Sequence, residues 1–314
     1  MRRYLCLLTA VLMLVFWAPY LLSAAKDDKS SVGTSAAKDD KTYVGTKTCR
    51  MCHEPQTKSL SRSLHWKQGI KNSPLADKGC ETCHGPGSTH VRAGGGAVKD
   101  LITFTRHERP EDKSRVCLNC HENSPSISAW DSSLHKKNDV SCEDCHTIHT
   151  NSRLNLKKPQ PGMCTSCHKE QRSQLTRQSH HPIAEGKVKC TDCHSTHGGF
   201  GRHMLIADSV PDLCYTCHSE KKGPYAFEHP PVVENCSTCH QSHGSNHNGL
   251  LTSKVPQLCQ SCHNIGAGHT SRAYTKQHGF LGEAIANKNK YFARGCLNCH
   301  GNVHGSNRSP MFLR

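Results

Sequence analysis

Between its cysteine clusters this 314-residue chain is rich in Gly, Pro, Ser, Asn and Lys, and its apolar positions recur with neither the 3.6-residue period of a helix nor the 2.0-residue period of a strand. The pattern predicts short α-helices at those clusters joined by irregular coil, with little or no β-sheet. One apolar stretch stands apart, from Leu5 to Leu22. Arg2 and Arg3 precede it and Ser23-Ala24-Ala25 follow, so residues 1–25 read as a secretory signal that is cleaved. The stretch is about long enough to span a bilayer as a retained anchor, but Pro19 and the small residues favour cleavage. Residues 26–48 read as a flexible charged leader: SAAKDDK at 23–29 recurs at 35–41, each copy followed closely by Val-Gly-Thr. The second Ser-Ala-Ala leaves two cleavage sites open.

The cysteines change this picture from coil to chemistry. Of 21, only Cys6 lies outside ten copies of Cys-x-x-Cys-His. The thiol pairs are Cys49 and Cys52, Cys80 and Cys83, Cys117 and Cys120, Cys142 and Cys145, Cys164 and Cys167, Cys190 and Cys193, Cys214 and Cys217, Cys236 and Cys239, Cys259 and Cys262, and Cys296 and Cys299. The histidines that close them are His53, His84, His121, His146, His168, His194, His218, His240, His263 and His300. Two thiols about one turn apart can add to the two vinyl groups of one porphyrin, and the imidazole that follows then lies under its iron. Shuffling this composition would yield roughly 0.1 such motifs. A disulfide framework requires no histidine after every second cysteine, and zinc sites do not close each Cys-x-x-Cys with one adjacent histidine. The expected cofactor is ten covalently bound haem c groups.

Haem explains a composition that otherwise could not fold. Only 5% of residues are aromatic, and Trp66 and Trp130 are the only tryptophans beyond the leader, too little apolar bulk for an ordinary core. The porphyrins would be the core, in one continuous domain over 49–314, and the apoprotein should not fold.

Fifteen further histidines lie outside the motifs, and most alternate with them. Units run His135, Cys142, His149, Cys164; His181, Cys190, His197, Cys214; and His229, Cys236, His243, Cys259, with lead histidines 46 and 48 residues apart. A looser first unit has His65 and His90, and a truncated last one has His269 and His304. Ten second axial ligands are thereby expected: His65, His90, His135, His149, His181, His197, His229, His243, His269 and His304. His107, His180, His203, His247 and His278 are left over. His149, His197 and His243 each follow a motif histidine by three residues, on one side of a helical turn, so they should reach a neighbouring haem. Which histidine serves which haem stays open.

The formal charge of +15 suggests an anionic partner until the cofactors are counted. Without Arg2 and Arg3, and with ten haems and their propionates, the total is roughly +3 oxidised and −7 reduced, which gives nucleic-acid binding little support.

CETCHGPGSTH at 80–90, NDVSCEDCH at 138–146, CYTCHSEKKGP at 214–224, Glu228-His229 and VHGSN at 303–307 resemble the decahaem cytochromes of the MtrA/DmsE type. The resemblance runs from about Cys49 to Arg314. It implies a periplasmic, roughly linear wire of bis-histidine haems inserted in an outer-membrane β-barrel porin. A periplasmic cytochrome would be the electron donor, and an extracellular multihaem cytochrome or terminal reductase the partner outside. Direction of flow and terminal acceptor stay open. On this reading the protein is an electron carrier rather than an enzyme, within a respiratory reductase system. Two other readings compete: a soluble periplasmic shuttle, and a multihaem reductase. The reductase needs an open axial position that ten His-closed motifs with ten further histidines do not leave.

Overall fold

The computed structural model describes residues 41–67, 73, 78–96, 100–150, 152, 154–199, 201–263 and 295–314. The expected signal, leader residues 26–40, His269 and His278 lie outside the described residues.

Short helices form where the motifs are, and among the described residues extended chains meet only as isolated bridges. The longest helix among the described residues, Pro110–His121, has 12 residues; Pro stands in its first turn, Glu111 and Asp112 complement its N-terminal dipole, and the motif at Cys117 fills its end. Pro211 likewise opens the helix Val210–Tyr215, which Ser209 caps by accepting the Asp212 N–H at 3.1 Å.

From Cys117 onward the motifs take two alternating local forms. Cys117, Cys164, Cys214 and Cys259 lie inside α-helices. Cys190, Cys236 and Cys296 open three-residue 3-10 turns and Cys142 a four-residue helix, after which the chain turns extended at His146, with φ −109° and ψ 153°. Single bridges then pair His146 with Leu156, His194 with Leu205 and His240 with Leu251. Each return loop places the residue just before the bridge partner at positive φ, namely Asn155, Met204 and Leu250, and that residue's carbonyl accepts the N–H of Thr147, Ser195 and Gln241 respectively at 2.7 Å. The repeat in the sequence is thus a repeat of backbone hydrogen bonding. The expected helical side shared by His146 and His149 is not formed, because the helix Cys142–Cys145 ends before His146.

Only Leu60, Trp130, Leu175 and Ile183 are buried apolar residues among those described. The chain provides a shell rather than a core.

Residues 41–48, expected within the flexible leader, are instead tied down. The Glu81 carboxylate, 3% exposed, accepts N–H groups from Val44, Gly45 and Gly87 at 2.8–3.1 Å, and the Ser88 N–H donates to the Thr42 carbonyl at 3.3 Å. A buried carboxylate needs such donors, and the backbone entering the helix Thr46–Cys52 supplies them.

Candidate functional site: facing histidines along a chain of cysteine motifs

Nine motif histidines face a histidine from outside the motifs. The pairs are His53 with His90, His84 with His149, His121 with His65, His146 with His197, His168 with His135, His194 with His243, His218 with His181, His240 with His304, and His263 with His229. Ring centroids are 6.0–6.3 Å apart in every pair. Two imidazoles bound to one metal through bonds of about 2 Å, each with its ring centre about 1.1 Å further out, would be separated by about 6.2 Å. The spacing therefore fits a porphyrin iron between the rings.

His149, His197 and His243 each face the histidine two motifs upstream, not the one three residues before them. The tenth motif histidine, His300, donates from Nδ1 to the Met311 carbonyl at 2.6 Å; its expected partner, His269, is outside the described residues. Of the leftover histidines, His180 is engaged elsewhere: its Nδ1 donates to the Arg177 carbonyl at 2.5 Å and its Nε2 meets Glu185 at 3.1 Å.

Backbone carbonyls orient most of these rings. Nδ1 of His84, His146, His194 and His240 donates to Ile102, Leu154, His203 and Gly249, and Nδ1 of His90, His135, His149, His181, His197 and His229 to Gly96, Thr196, Gln56, Ser242, Ser126 and Val303. This fixes the tautomer with the Nε2 lone pair free, as a metal ligand requires. Burial lowers the pKa of His65, His84, His197, His243 and His304, and so favours the neutral, ligating form.

The sulfurs link the motifs in sequence order. First cysteines adjoin in pairs, close enough to shift one another's titration: Cys49 with Cys80, Cys117 with Cys142, Cys164 with Cys190, Cys214 with Cys236 and Cys259 with Cys296. Second cysteines interact across the intervening junctions: Cys83 with Cys120, Cys145 with Cys167, Cys193 with Cys217 and Cys239 with Cys262. That leaves the outermost second cysteines, Cys52 and Cys299, one at each end of the succession, and both are exposed. Cys299 was expected, like the other nineteen, as a haem-attaching thiol; it stands at the rim rather than at a junction between motifs. Its carbonyl accepts the Arg314 N–H at 3.1 Å, which ties the end of the chain to the last motif. In the unloaded chain the Cys117 and Cys164 thiols bring Cys142 and Cys190 down to about 7. In thioethers that titration disappears and the adjacency remains.

Buried polar atoms without a protein partner gather at the same places: Ser63 Oγ, His65 Nδ1, Thr89 Oγ1, Trp130 Nε1 and Glu143 Oε2. Each lies within five residues of a facing histidine or beside a motif cysteine, so the shell is polar where a haem and its propionates would complete it.

The chain is 37% identical over 265 residues to the multihaem cytochrome MtrA of Shewanella baltica, covering 83% of this chain and 78% of that protein. It belongs to the MtrA family. Profiles of the doubled CXXCH motif match residues 180–223 and 229–267, and a profile of NrfB-like c-type cytochromes matches residues 80–157. The C-type polyheme cytochrome OmcB of Geobacter sulfurreducens is 24% identical over 250 residues, covering 70% of this chain but only 31% of OmcB. As an MtrA-family member the chain is a multihaem electron-transfer cytochrome that carries haem c covalently.

Proposed function

We propose that the chain holds ten haems in the order of their motifs, each iron ligated by a motif histidine and one of the ten expected partners, His269 serving His300. It would conduct electrons across the outer membrane inside a β-barrel porin. The observation that carries this reading is the coincidence of nine facing histidine pairs with an unbroken succession of sulfur junctions from Cys49 to Cys296. Haem iron supplies the one-electron chemistry when bound. The chain's own part is to fix each ring, exclude other ligands and hold adjacent sites close enough for serial transfer.

Export follows from the signal-like residues 1–25, which put the mature protein in the periplasm. Among the described residues no helix is long and apolar enough to cross a membrane. The β-barrel, the periplasmic donor and an outer cytochrome or reductase are the partners that the family resemblance implies.

The test is affinity purification of the haem-loaded protein from detergent-extracted outer membranes, with mass analysis of the intact chain. Ten haems and stoichiometric co-purification with a β-barrel that transfers electrons into sealed vesicles support the reading. A chain recovered alone from the soluble periplasmic fraction would favour a shuttle.

A further inference from the structure

Resting on the bis-histidine ligation proposed above, we propose that the haem between His121 and His65 is the highest-potential site of the nine described pairs and takes up the first electron. The two haems beside it in sequence order would be low-potential flanks that confine the electron.

The inference comes from the second ring nitrogen of each ligand. An imidazole that donates its Nδ1–H to a carbonyl is a stronger electron donor to iron and favours the ferric state, so hydrogen bonding at the ligand is a lever on potential. Counted this way, the pairs are unequal. In the pair of His84 and His149 both rings donate, to Ile102 at 2.6 Å and to Gln56 at 3.4 Å. In the pair of His146 and His197 both donate again, to Leu154 at 3.0 Å and to Ser126 at 3.1 Å.

Between these two stands the pair of His121 and His65. His65 Nδ1 is buried without a protein acceptor, as is Ser63 Oγ two residues earlier, and the exposed His121 ring has no hydrogen bond to a described residue. Each of the other six pairs has one such bond, through His90, His135, His194, His181, His240 or His229. His218 adds the Glu220 carboxylate at 3.8 Å, which acts in the same direction. The nearby Lys113 ammonium does not supply a competing net charge, because it is paired with Glu143 at 2.5 Å.

Ring planes make the sites distinguishable. His65 and His121 are crossed at 65°, whereas His146 and His197 are inclined by 29°. Crossed imidazoles give ferric haem a large-gmax EPR signal and near-parallel ones a rhombic signal. The pair of His135 and His168, at 68°, is the one other strongly crossed pair among those described.

The experiment is an EPR-monitored redox titration of the fully haem-loaded protein and of H65M. In the wild type the first electron should bleach a large-gmax signal. In H65M, a methionine-to-iron charge-transfer band should appear and the uppermost step of the titration should move higher while the lower steps stay in place. Bleaching of a rhombic signal first, or loss of a lower step with the uppermost one unmoved, overturns the assignment. An H65M protein with unchanged coordination overturns the ligand reading itself. If H65M does not load its full haem complement, H135M separates the two crossed pairs: the large-gmax signal that bleaches first should persist in that variant, and its loss there overturns the assignment.

Discussion

The ring of His197 lies 6.0 Å from that of His146 and is inclined to it by 29°, although 51 positions separate the two residues. His194, three positions before His197, faces His243 instead. One stretch of backbone thus contributes to two sites. Replacing His197 with Met should leave every haem attached, because all thiols survive. It should alter one iron, that of the haem held by Cys142 and Cys145, raise its potential and slow passage along the chain. Magnetic circular dichroism and stopped-flow oxidation check this; a change at the haem held by Cys190 and Cys193 would refute the pairing.

If every iron carries two neutral imidazoles, as proposed, the ferric protein should be entirely low-spin. Beyond the signal-like segment the chain has only Met51, Met163, Met204 and Met311, too few to ligate broadly. Reduction should spread over a wide range of low potentials, since bis-imidazole ligation favours ferric iron and neighbouring charges interact. A substantial high-spin EPR signal, or a single sharp step at high positive potential, would contradict this.

Glu81 should be worth more than a surface carboxylate. E81A strands the N–H groups of Val44, Gly45 and Gly87, and the Gly87 group, which is buried, costs on the order of 1–3 kcal/mol when unpaired. We expect residues 41–48 to gain protease sensitivity and rapid amide exchange while haem content stays unchanged. Equal protection in wild type and variant would remove the clamp.

Close approach of repeats should be sensitive at Gly244. With φ 153°, a Cβ there would lie 2.0 Å from the Gln174 carbonyl oxygen. Gly249, at φ 67°, has nothing within 4 Å of an added Cβ. G244A should therefore lower the melting temperature well beyond G249A, whose cost is about 1–2 kcal/mol of left-handed strain. Calorimetry of the two haem-loaded variants separates the effects.

The loop that supplies the Ile102 carbonyl to His84 should loosen in acid. Burial raises the Glu108 pKa, but hydrogen bonds from Thr103 and Thr105 outweigh it and hold the carboxyl below its ordinary 4.5. A depressed folded-state pKa means that the stabilisation is complete above 4.5 and is lost as pH falls through the lower folded value. Amide exchange at Thr103 and Thr105 should accelerate below that pH, and E108Q should abolish the pH dependence.

Every thiol from Cys49 to Cys299, every motif histidine, the near absence of a polypeptide core and the scarcity of sheet are legible in the order of residues alone. A Cys-x-x-Cys-His carries its chemistry within five residues, and low apolar content is a sum over the chain. His181 could be preferred over His180 from the spacing of the units, and it is His181 that faces His218. Which histidine faces which, however, is set by the folded chain. Partners lie 33 to 65 positions apart, as in His135 with His168 and His84 with His149, and no local period encodes such a crossing. The extended exit at His146, its bridge to Leu156 and the positive φ of Asn155 belong to the loop that carries His149 away from the motif it follows and against His84. Those depend on a return loop closing through backbone N–H and C=O groups, which nearly every residue carries and which therefore leave little trace in the order of side chains.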